Sequence, residues 1–181
     1  MPGGSWDPPR SRRLRRVAIG LAVAAAVVVP TVPAAAAPPS KAQAVMATGA
    51  PAHSGSCRRI VYDRAQQRVW AIDAQGRIVN THRVSGRLHS PAAGTYHVFS
   101  RSRSTYSVDN PAVVWNYMVR FAKGPGGGNI GFHEIPTKRG RPLQSAAQLG
   151  QPLSGGCVRQ AHADALWIWN WAGVGTKVVV L

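Results

Sequence analysis

The stretch of sequence that decides the fold is IGFHEIP at residues 130–136, followed by LSGGCVRQ at residues 153–160. The first segment carries His133 in a short run typical of a strand, and the second carries Cys157, 24 residues further along the chain. A thiol is a weak nucleophile until it loses its proton, and a neighbouring imidazole is a suitable base. The two segments therefore predict a cysteine and histidine pair that supports acyl transfer.

The residues next to Cys157 fit this chemistry. Gly155 and Gly156 leave room for a carbonyl carbon to approach the sulfur, and their backbone N–H groups can bind a developing oxyanion. Cys157 also precedes a predicted helix at 161–172, and the positive end of a helix dipole favours a thiolate. We therefore expect the pKa of the Cys157 thiol to lie below its ordinary value of about 8.5.

Short strands fill most of the sequence from residue 57 to residue 181. Runs rich in β-branched and aromatic residues alternate with turn residues, which is typical of an antiparallel meander in the first part. The predicted elements are strands at 58–63, 68–73, 77–85, 111–122 (one long strand or a strand pair), 130–135 and 176–181, and a helix at 161–172. Residues 136–153 are predicted to be a loop. Together these elements predict one mainly β domain with a single helix after the cysteine.

Residues 1–36 have the layout of a secretory signal peptide. Five arginines precede thirteen uncharged apolar residues at 17–29, and small residues follow at an A-x-A cleavage site. The apolar run is shorter than the roughly 20 residues of a membrane span. We expect cleavage after Ala36 and export by the general pathway, with an uncleaved anchor or a twin-arginine signal as alternatives. Residues 37–56, rich in Ala, Pro, Ser and Gly, are predicted to be a flexible tether.

The charge of the chain bears on its partners. Without residues 1–36 it keeps 17 basic and 5 acidic residues, a net charge of +12. We expect an exported protein of this charge to meet the anionic cell wall, and we expect no nucleic-acid partner and no membrane span after cleavage. A basic surface without a specific ligand is the alternative. The histidines other than His133 lack metal-ligand spacing, so we expect no metal and no cofactor.

The two quoted segments resemble the L,D-transpeptidase catalytic domain of the YkuD type, whose signature is a strand-borne histidine and a downstream S-x-G-C-x-R segment. The segments at 58–87, 90–101 and 175–181 look like other strands of that family, so the resemblance covers essentially all of residues 58–181. It implies an L,D-transpeptidase-like β-sandwich. It also implies a secreted cysteine acyltransferase that acts on peptidoglycan stem peptides and is associated with the cell wall.

The resemblance implies a role for each motif residue. Cys157 would attack the carbonyl of the third residue of a stem tetrapeptide and release D-alanine, with His133 as the general base. The acyl-enzyme would then pass to the side-chain amine of another stem and form a 3→3 cross-link.

The same resemblance implies roles for the loop before the cysteine. Backbone amides near Gly156 and Cys157 would form the oxyanion hole, with Gly155 in the same loop. Arg159 would order the loop or bind a stem carboxylate, and Ser154 is assigned to the same group.

Several positions depart from the common family pattern. Gly155 stands where many members have a second histidine, Glu134 stands where Gly or Ser is usual, and Gln160 replaces an apolar residue. The interval between His133 and Ser154 is also longer than is common. We expect Gly155 to cost little, because a glycine pair can adopt the same turn.

Two further questions stay open at this point. A basic wall-binding protein with weak or no activity, or an L,D-carboxypeptidase that uses water as the acceptor, would carry the same motif. Cys57 and Cys157 could also form a disulfide in an oxidising compartment. Because that bond would remove the nucleophile, we expect two free thiols, and the sequence assigns no function to Cys57.

Overall fold

The computed structural model describes residues 49–181, so the predicted signal peptide at 1–36 and most of the predicted tether lie outside the described residues. The strands are β1 (Arg59–Asp63), β2 (Arg68–Ile72), β3 (Ile78–Arg83), β4 (Gly94–His97), β5 (Ser100–Tyr106), β6 (Val113–Lys123), β7 (Asn129–Glu134), β8 (Thr137–Lys138), β9 (Arg141–Pro142), β10 (Val158–Gln160) and β11 (Lys177–Val180). The helix α1 spans His162–Trp171, and a 3-10 turn covers Ala146–Gln148.

The first sheet has the strand order β3-β2-β1-β11-β4. Strands β1 to β3 form the predicted antiparallel meander, with Val61 opposite Trp70. Asp63 shapes the first turn, because its Oδ1 accepts the backbone N–H groups of Ala65 at 2.8 Å and Gln66 at 2.9 Å. Strand β11 pairs in parallel with β1 and antiparallel with β4, so the predicted closing strand lies inside the sheet.

The second sheet has the strand order β10-β7-β6-β8-β9, and β5 also pairs with β6. Strand β6 is one strand of 11 residues, which settles the choice at 111–122. The prediction of a loop at 136–153 was wrong in part, because the β8–β9 hairpin and the 3-10 turn lie there. The three-residue strand β10 was not predicted, and it pairs in parallel with β7 so that Arg159 lies opposite His133.

The main core lies between the two sheets and α1. Phe132 of β7 stacks on Phe121 of β6 with ring centroids 4.6 Å apart, and it meets Tyr62 of β1 edge to face at 6.4 Å. Helix α1 contributes Ala165 and Ile168, which are fully buried, and its three tryptophans pack partly buried against the same core. This arrangement confirms the predicted mainly β sandwich with one helix. Among residues 49–181, no helix has the length and apolar character needed to span a membrane.

The segment just before residue 57 packs on the first sheet. Ala50 contacts a second apolar cluster that includes Val61 and Ile72 on the outer face of that sheet. Ser54 is buried, and its Oγ accepts a hydrogen bond from Arg59 Nη2 at 3.1 Å. The packed part of the chain therefore begins before residue 57.

Candidate active site

The pairing of β7 with β10 places the two motif residues on one face of the sheet. Arg159 lies opposite His133, and Cys157 lies two residues before Arg159, so all three side chains point to the same side. The Cys157 thiol donates to the carbonyl oxygen of Asn129 at 3.4 Å and accepts the backbone N–H of Gly131. Cys157 as a whole residue is partly exposed, although its thiol is largely buried.

Gly131, whose N–H bonds to the thiol, packs tightly against the backbone of β6. It lies opposite Arg120 of β6, where the register between β6 and β7 shifts. A Cβ atom at Gly131 would collide with the carbonyl oxygen of Val119, so only glycine fits. The positive charge of Arg120 acts on the Cys157 thiol and partly opposes the rise in its pKa that burial causes.

His133 is held as a neutral base. Its Nδ1 lies 2.5 Å from the carbonyl oxygen of Glu134, and since a carbonyl only accepts, Nδ1 carries the proton and Nε2 keeps a free lone pair. The side chain is 2% exposed, and this burial lowers the pKa of His133 to about 4. The charge of Arg159 also lowers that pKa, while the bond to Glu134 opposes the shift. At neutral pH the ring is therefore in the form that accepts a proton.

Trp115 on β6 belongs to this site, although the sequence gave no sign of it. Its ring stacks on the imidazole of His133, with centroids 4.9 Å apart and planes 28° from parallel. Two residues later, Tyr117 has a left-handed φ of 58°, which interrupts the regular alternation of side chains along β6. Because the break depends on backbone conformation, an alternation pattern in the sequence cannot reveal which face Trp115 takes.

The expectation of a lowered Cys157 pKa was wrong. Burial raises the pKa of the Cys157 thiol, and it outweighs the opposing effects of the Gly131 N–H and the charges of Arg159 and Arg120. The helix dipole does not help, because β10 intervenes and α1 begins only at His162. Within residues 49–181, no hydrogen bond joins the thiol to His133. The resting site therefore holds a neutral thiol and a neutral imidazole on the same face of the sheet, without a hydrogen bond between them.

The turn before Cys157 requires one of its two glycines. Gly156 has a φ of 154°, which L side chains rarely adopt, and its N–H donates to Ser154 Oγ at 3.1 Å. Gly155 has open space where a Cβ would lie, and its carbonyl oxygen accepts Arg87 Nη1 at 3.3 Å. The backbone thus tolerates a side chain at Gly155, whereas Gly156 is needed for the turn.

Arg159 contacts two other segments of the chain near the cysteine. Its backbone N–H and carbonyl oxygen both bond to Ser85 at 2.9 Å. Its Nη1 donates to Gln144 Oε1 at 3.2 Å, which links the 136–153 segment to β10. These contacts are the ones expected of a residue that orders the loop, and binding of a stem carboxylate by Arg159 stays a prediction.

The two other unusual residues make polar contacts away from the thiol. Glu134 Oε1 accepts both the backbone N–H and the Nδ2 of Asn116, at 2.9 and 2.7 Å, and its Oε2 accepts His162 Nδ1 at 2.7 Å. Gln160 is buried, and its Oε1 lies 2.7 Å from His82 Nε2. Both residues therefore tie β7 and β10 to neighbouring elements.

Cys57 lies elsewhere, exposed at the start of the domain, and both cysteines are free. It shares a surface pocket with Arg58, Trp171 and Lys177 rather than with the motif residues. The described part of the chain holds no group of three or more His, Cys, Asp or Glu side chains placed to bind a metal ion.

Several solved structures share this fold. An L,D-transpeptidase from Stackebrandtia nassauensis matches with a TM-score of 0.52 at 20% identity, over 75% of this chain and 59% of that one. An L,D-transpeptidase from Xylanimonas cellulosilytica matches with a TM-score of 0.53 at 20% identity, over 80% and 70%. L,D-transpeptidase 3 from Mycobacterium tuberculosis, in complex with a faropenem-derived adduct, matches with a TM-score of 0.50 at 22% identity, over 70% and 60%. The chain thus spans less than two thirds of two of these structures.

A protein-family model also matches the amino-acid sequence of this chain. The model of the YkuD L,D-transpeptidase catalytic domain matches residues 58–180, from the start of β1 to the end of β11. Among curated proteins, none matches this sequence. Since the family model covers more than half of the chain and the same elements carry the shared fold, the chain belongs to the L,D-transpeptidase catalytic domain family.

Proposed function

We propose that this protein is an L,D-transpeptidase that forms 3→3 cross-links between peptidoglycan stems through a thioester on Cys157. The observation that supports this most strongly is the β7–β10 pairing, which sets a neutral His133 and Cys157 on one face. Export with loss of residues 1–36, a tether at 37–56 and attachment to the cell wall complete the proposal. The net charge of +12 on the remaining chain suits an anionic wall.

In the acylation step, the sulfur of Cys157 attacks the carbonyl carbon of the third stem residue while its proton moves to His133 Nε2. The tetrahedral intermediate then collapses. The C–N bond to D-alanine breaks, and the leaving amine takes the proton from the imidazolium. Because burial disfavours the thiolate, proton transfer accompanies attack rather than preceding it.

The oxyanion would form beside the turn at Ser154–Cys157. The N–H of Cys157 is one donor, and the N–H of Gly156 is the second once it exchanges its bond with Ser154 Oγ for the oxyanion. The positive charges of Arg159 and Arg120 act on the same sulfur and favour the developing negative charge.

In the second step, the side-chain amine of another stem attacks the thioester carbonyl. His133 takes the proton of the amine and returns it to the sulfur as the C–S bond breaks. The products are the 3→3 amide bond and the free thiol. With water in place of the amine, the same steps give L,D-carboxypeptidase activity.

Intact-mass spectrometry after exposure to faropenem tests the thioester chemistry. A penem is a fair probe, because one related structure carries a faropenem-derived adduct. We expect a single adduct on the wild type and on Cys57→Ala, and none on Cys157→Ala. No adduct on any protein would favour the wall-binding alternative.

The acceptor needs a separate experiment with purified disaccharide tetrapeptides. Mass analysis of the products should show 3→3 dimers and free D-alanine. Tripeptides without dimers would instead identify a carboxypeptidase.

A further inference from the structure

The hairpin of β8 and β9 carries exposed cations that none of the proposed chemical steps uses. Lys138, Arg139 and Arg141 are all exposed. The sequence contains no Asp or Glu between Glu134 and Asp164, and within residues 49–181 none of the three cations forms an ion pair. The positive charge of this hairpin therefore needs an explanation of its own.

Two of the cations lie directly opposite each other. Lys138 of β8 pairs with Arg141 of β9, and like charges at directly opposed positions of an antiparallel pair destabilise it. Arg68 and Arg83 form another opposed pair, but Arg68 Nη1 donates to Thr81 Oγ1 at 3.0 Å. The hairpin thus brings two positive charges together at the expense of its own stability.

The turn of the hairpin is also unfavourable for an arginine. Arg139 and Gly140 connect the two strands with φ values of 51° and 77°. Where both turn residues have a positive φ, Asn or Asp is the usual first residue, because a short polar side chain tolerates this conformation. Backbone strain of this kind is a reason to look for a function, and the charge of Arg139 supplies one.

Protection of the sheet edge does not account for three cations. Strand β9 is the last strand in the order of the second sheet, and natural proteins often place Lys or Pro on such an edge to prevent pairing with another molecule. However, β9 is only two residues long, and Pro142 has no N–H group to offer. The edge is therefore protected without the charges.

The exposure and composition of the hairpin favour an extended anionic ligand. Residues 138–142 are all exposed, and a Cβ atom on Gly140 would meet no atom within 4 Å. A guanidinium group binds two oxygens of a phosphate or a carboxylate at once. Residues 137–141 include no aromatic or long aliphatic side chain that could stack on a nucleic-acid base or insert into a lipid bilayer. The chemistry that fits is a linear polymer with repeated oxyanion groups.

We propose that the hairpin of β8 and β9 docks this domain on a linear anionic polymer of the cell wall. Lys138, Arg139 and Arg141 bind phosphate or carboxylate groups that repeat along the polymer. The proposal rests on the proposed export of the protein, because export brings the hairpin to the wall. It does not involve Cys157 or the stem peptides.

Isothermal titration of the purified protein with short oligomers of glycerol phosphate and of galacturonate tests the proposal. At least one oligomer should bind tenfold more tightly than inorganic phosphate, and the better oligomer identifies the oxyanion. The affinity should fall steeply between about 50 and about 200 mM salt, because binding releases counterions from the polymer. Binding of neither oligomer, or tighter binding to phosphatidylglycerol vesicles than to both, would overturn the proposal.

A double variant tests the hairpin itself. Arg139→Asn with Arg141→Gln removes two positive charges and gives the turn a more favourable residue, so the melting temperature should not fall. We expect at least a tenfold loss of affinity for the oligomer and a weaker dependence on salt.

The matched control removes the same charge elsewhere. Arg83→Gln with Arg103→Gln changes two exposed arginines outside the hairpin, and Arg83 also lies opposite a cation, Arg68. We expect less than a threefold loss of affinity. Equal losses in the two double variants would show only a general attraction to the basic protein and would contradict the docking site.

The faropenem adduct keeps this proposal separate from the proposed function. The hairpin variant should form the adduct on Cys157 as the unmodified protein does, and its selective loss would show that the hairpin serves the active site instead. Absence of the adduct from the unmodified protein would refute the thioester chemistry alone. A normal adduct without binding of either oligomer would refute the docking site alone.

Discussion

The two cysteines of this chain have the same side chain but lie in different surroundings. Cys57 is exposed at the start of the domain and has a φ of 65°, and its thiol makes a single weak contact, to Ser56 Oγ at 3.8 Å. Cys157 enters β10 beside β7, where Gly131 supplies an N–H and two arginines supply positive charge. The difference teaches that a strand pair, rather than the thiol, provides a base and a charge distribution for catalysis.

Removing each sulfur in turn should give the largest contrast. Cys157→Ala should reduce D-alanine release from a stem tetrapeptide to background, because no other group on that face can form the thioester. Cys57→Ala should keep the wild-type rate. A measurable loss in Cys57→Ala would show that the exposed cysteine takes part.

His133 should contribute the next largest effect. His133→Ala should lower the acylation rate by about 10² to 10⁴, which is the usual contribution of a general base. The pH profile of faropenem acylation offers a finer test. Burial holds the pKa of His133 near 4, and the ring accepts a proton only above that value. The rate should therefore fall only as the pH drops towards about 4. A fall in the rate that already begins near pH 6.5 would contradict this.

Trp115→Ala should shift the pH at which the acylation rate falls. Removing the stacked ring admits water to His133. Because burial lowers the pKa of this histidine, the loss of burial should raise that pKa towards the ordinary 6.5. We expect the rate to begin to fall at a higher pH than in the wild type. We also expect the rate at neutral pH to fall by about tenfold, because the base is positioned less firmly. Trp115→Phe is the control that keeps a stacked ring. An unchanged pH profile in Trp115→Ala would show that Trp115 has no role in the site.

Alkylation in the absence of substrate should rank the two cysteines in the opposite order of reactivity. At neutral pH, iodoacetamide should modify Cys57 in the Cys157→Ala protein several times faster than Cys157 in the Cys57→Ala protein. The reason is that burial raises the pKa of the Cys157 thiol and reduces its thiolate fraction. Faster alkylation of Cys157 would indicate a preformed thiolate and would refute the neutral resting pair.

The smallest effect is expected at Gly155. Gly155→His should change acylation by less than about tenfold, which corresponds to about 1.4 kcal/mol of barrier. The position has open space for a side chain, so the turn should persist. Gly156→Ala is the informative comparison, because its φ of 154° disfavours any side chain and the rate should fall further. A gain of a hundredfold in Gly155→His would mean that the natural site lacks an oxyanion donor.

The sequence was sufficient for the parts of the molecule that depend on local pattern. The meander of β1 to β3, the helix after the cysteine and the closing strand follow from short runs of β-branched residues and from the absence of Gly and Pro at 161–172. The segments around His133 and Cys157 also indicated the family, because they resemble its signature.

The rest depends on contacts between distant segments. The pKa of Cys157 follows from burial against β7, which outweighs the charges that the sequence brings near it. Trp115 stacks on His133, and Tyr117, two residues later, takes a left-handed conformation; a pattern of residue types predicts neither. Likewise, β10 is only three residues long and exists because β7 offers an edge to pair with.

The position of β11 has a consequence for the assembly of the domain. The strand lies between β1 and β4, and its residue Val179 pairs with Val61, more than a hundred positions earlier in the chain. Until this strand docks, β1 presents an unpaired apolar edge and β4 an unpaired polar edge, and such edges are templates for pairing with another molecule. Folding of the first sheet must therefore wait for a long loop to close, and a domain shortened before Lys177 should aggregate rather than lose only its final residues.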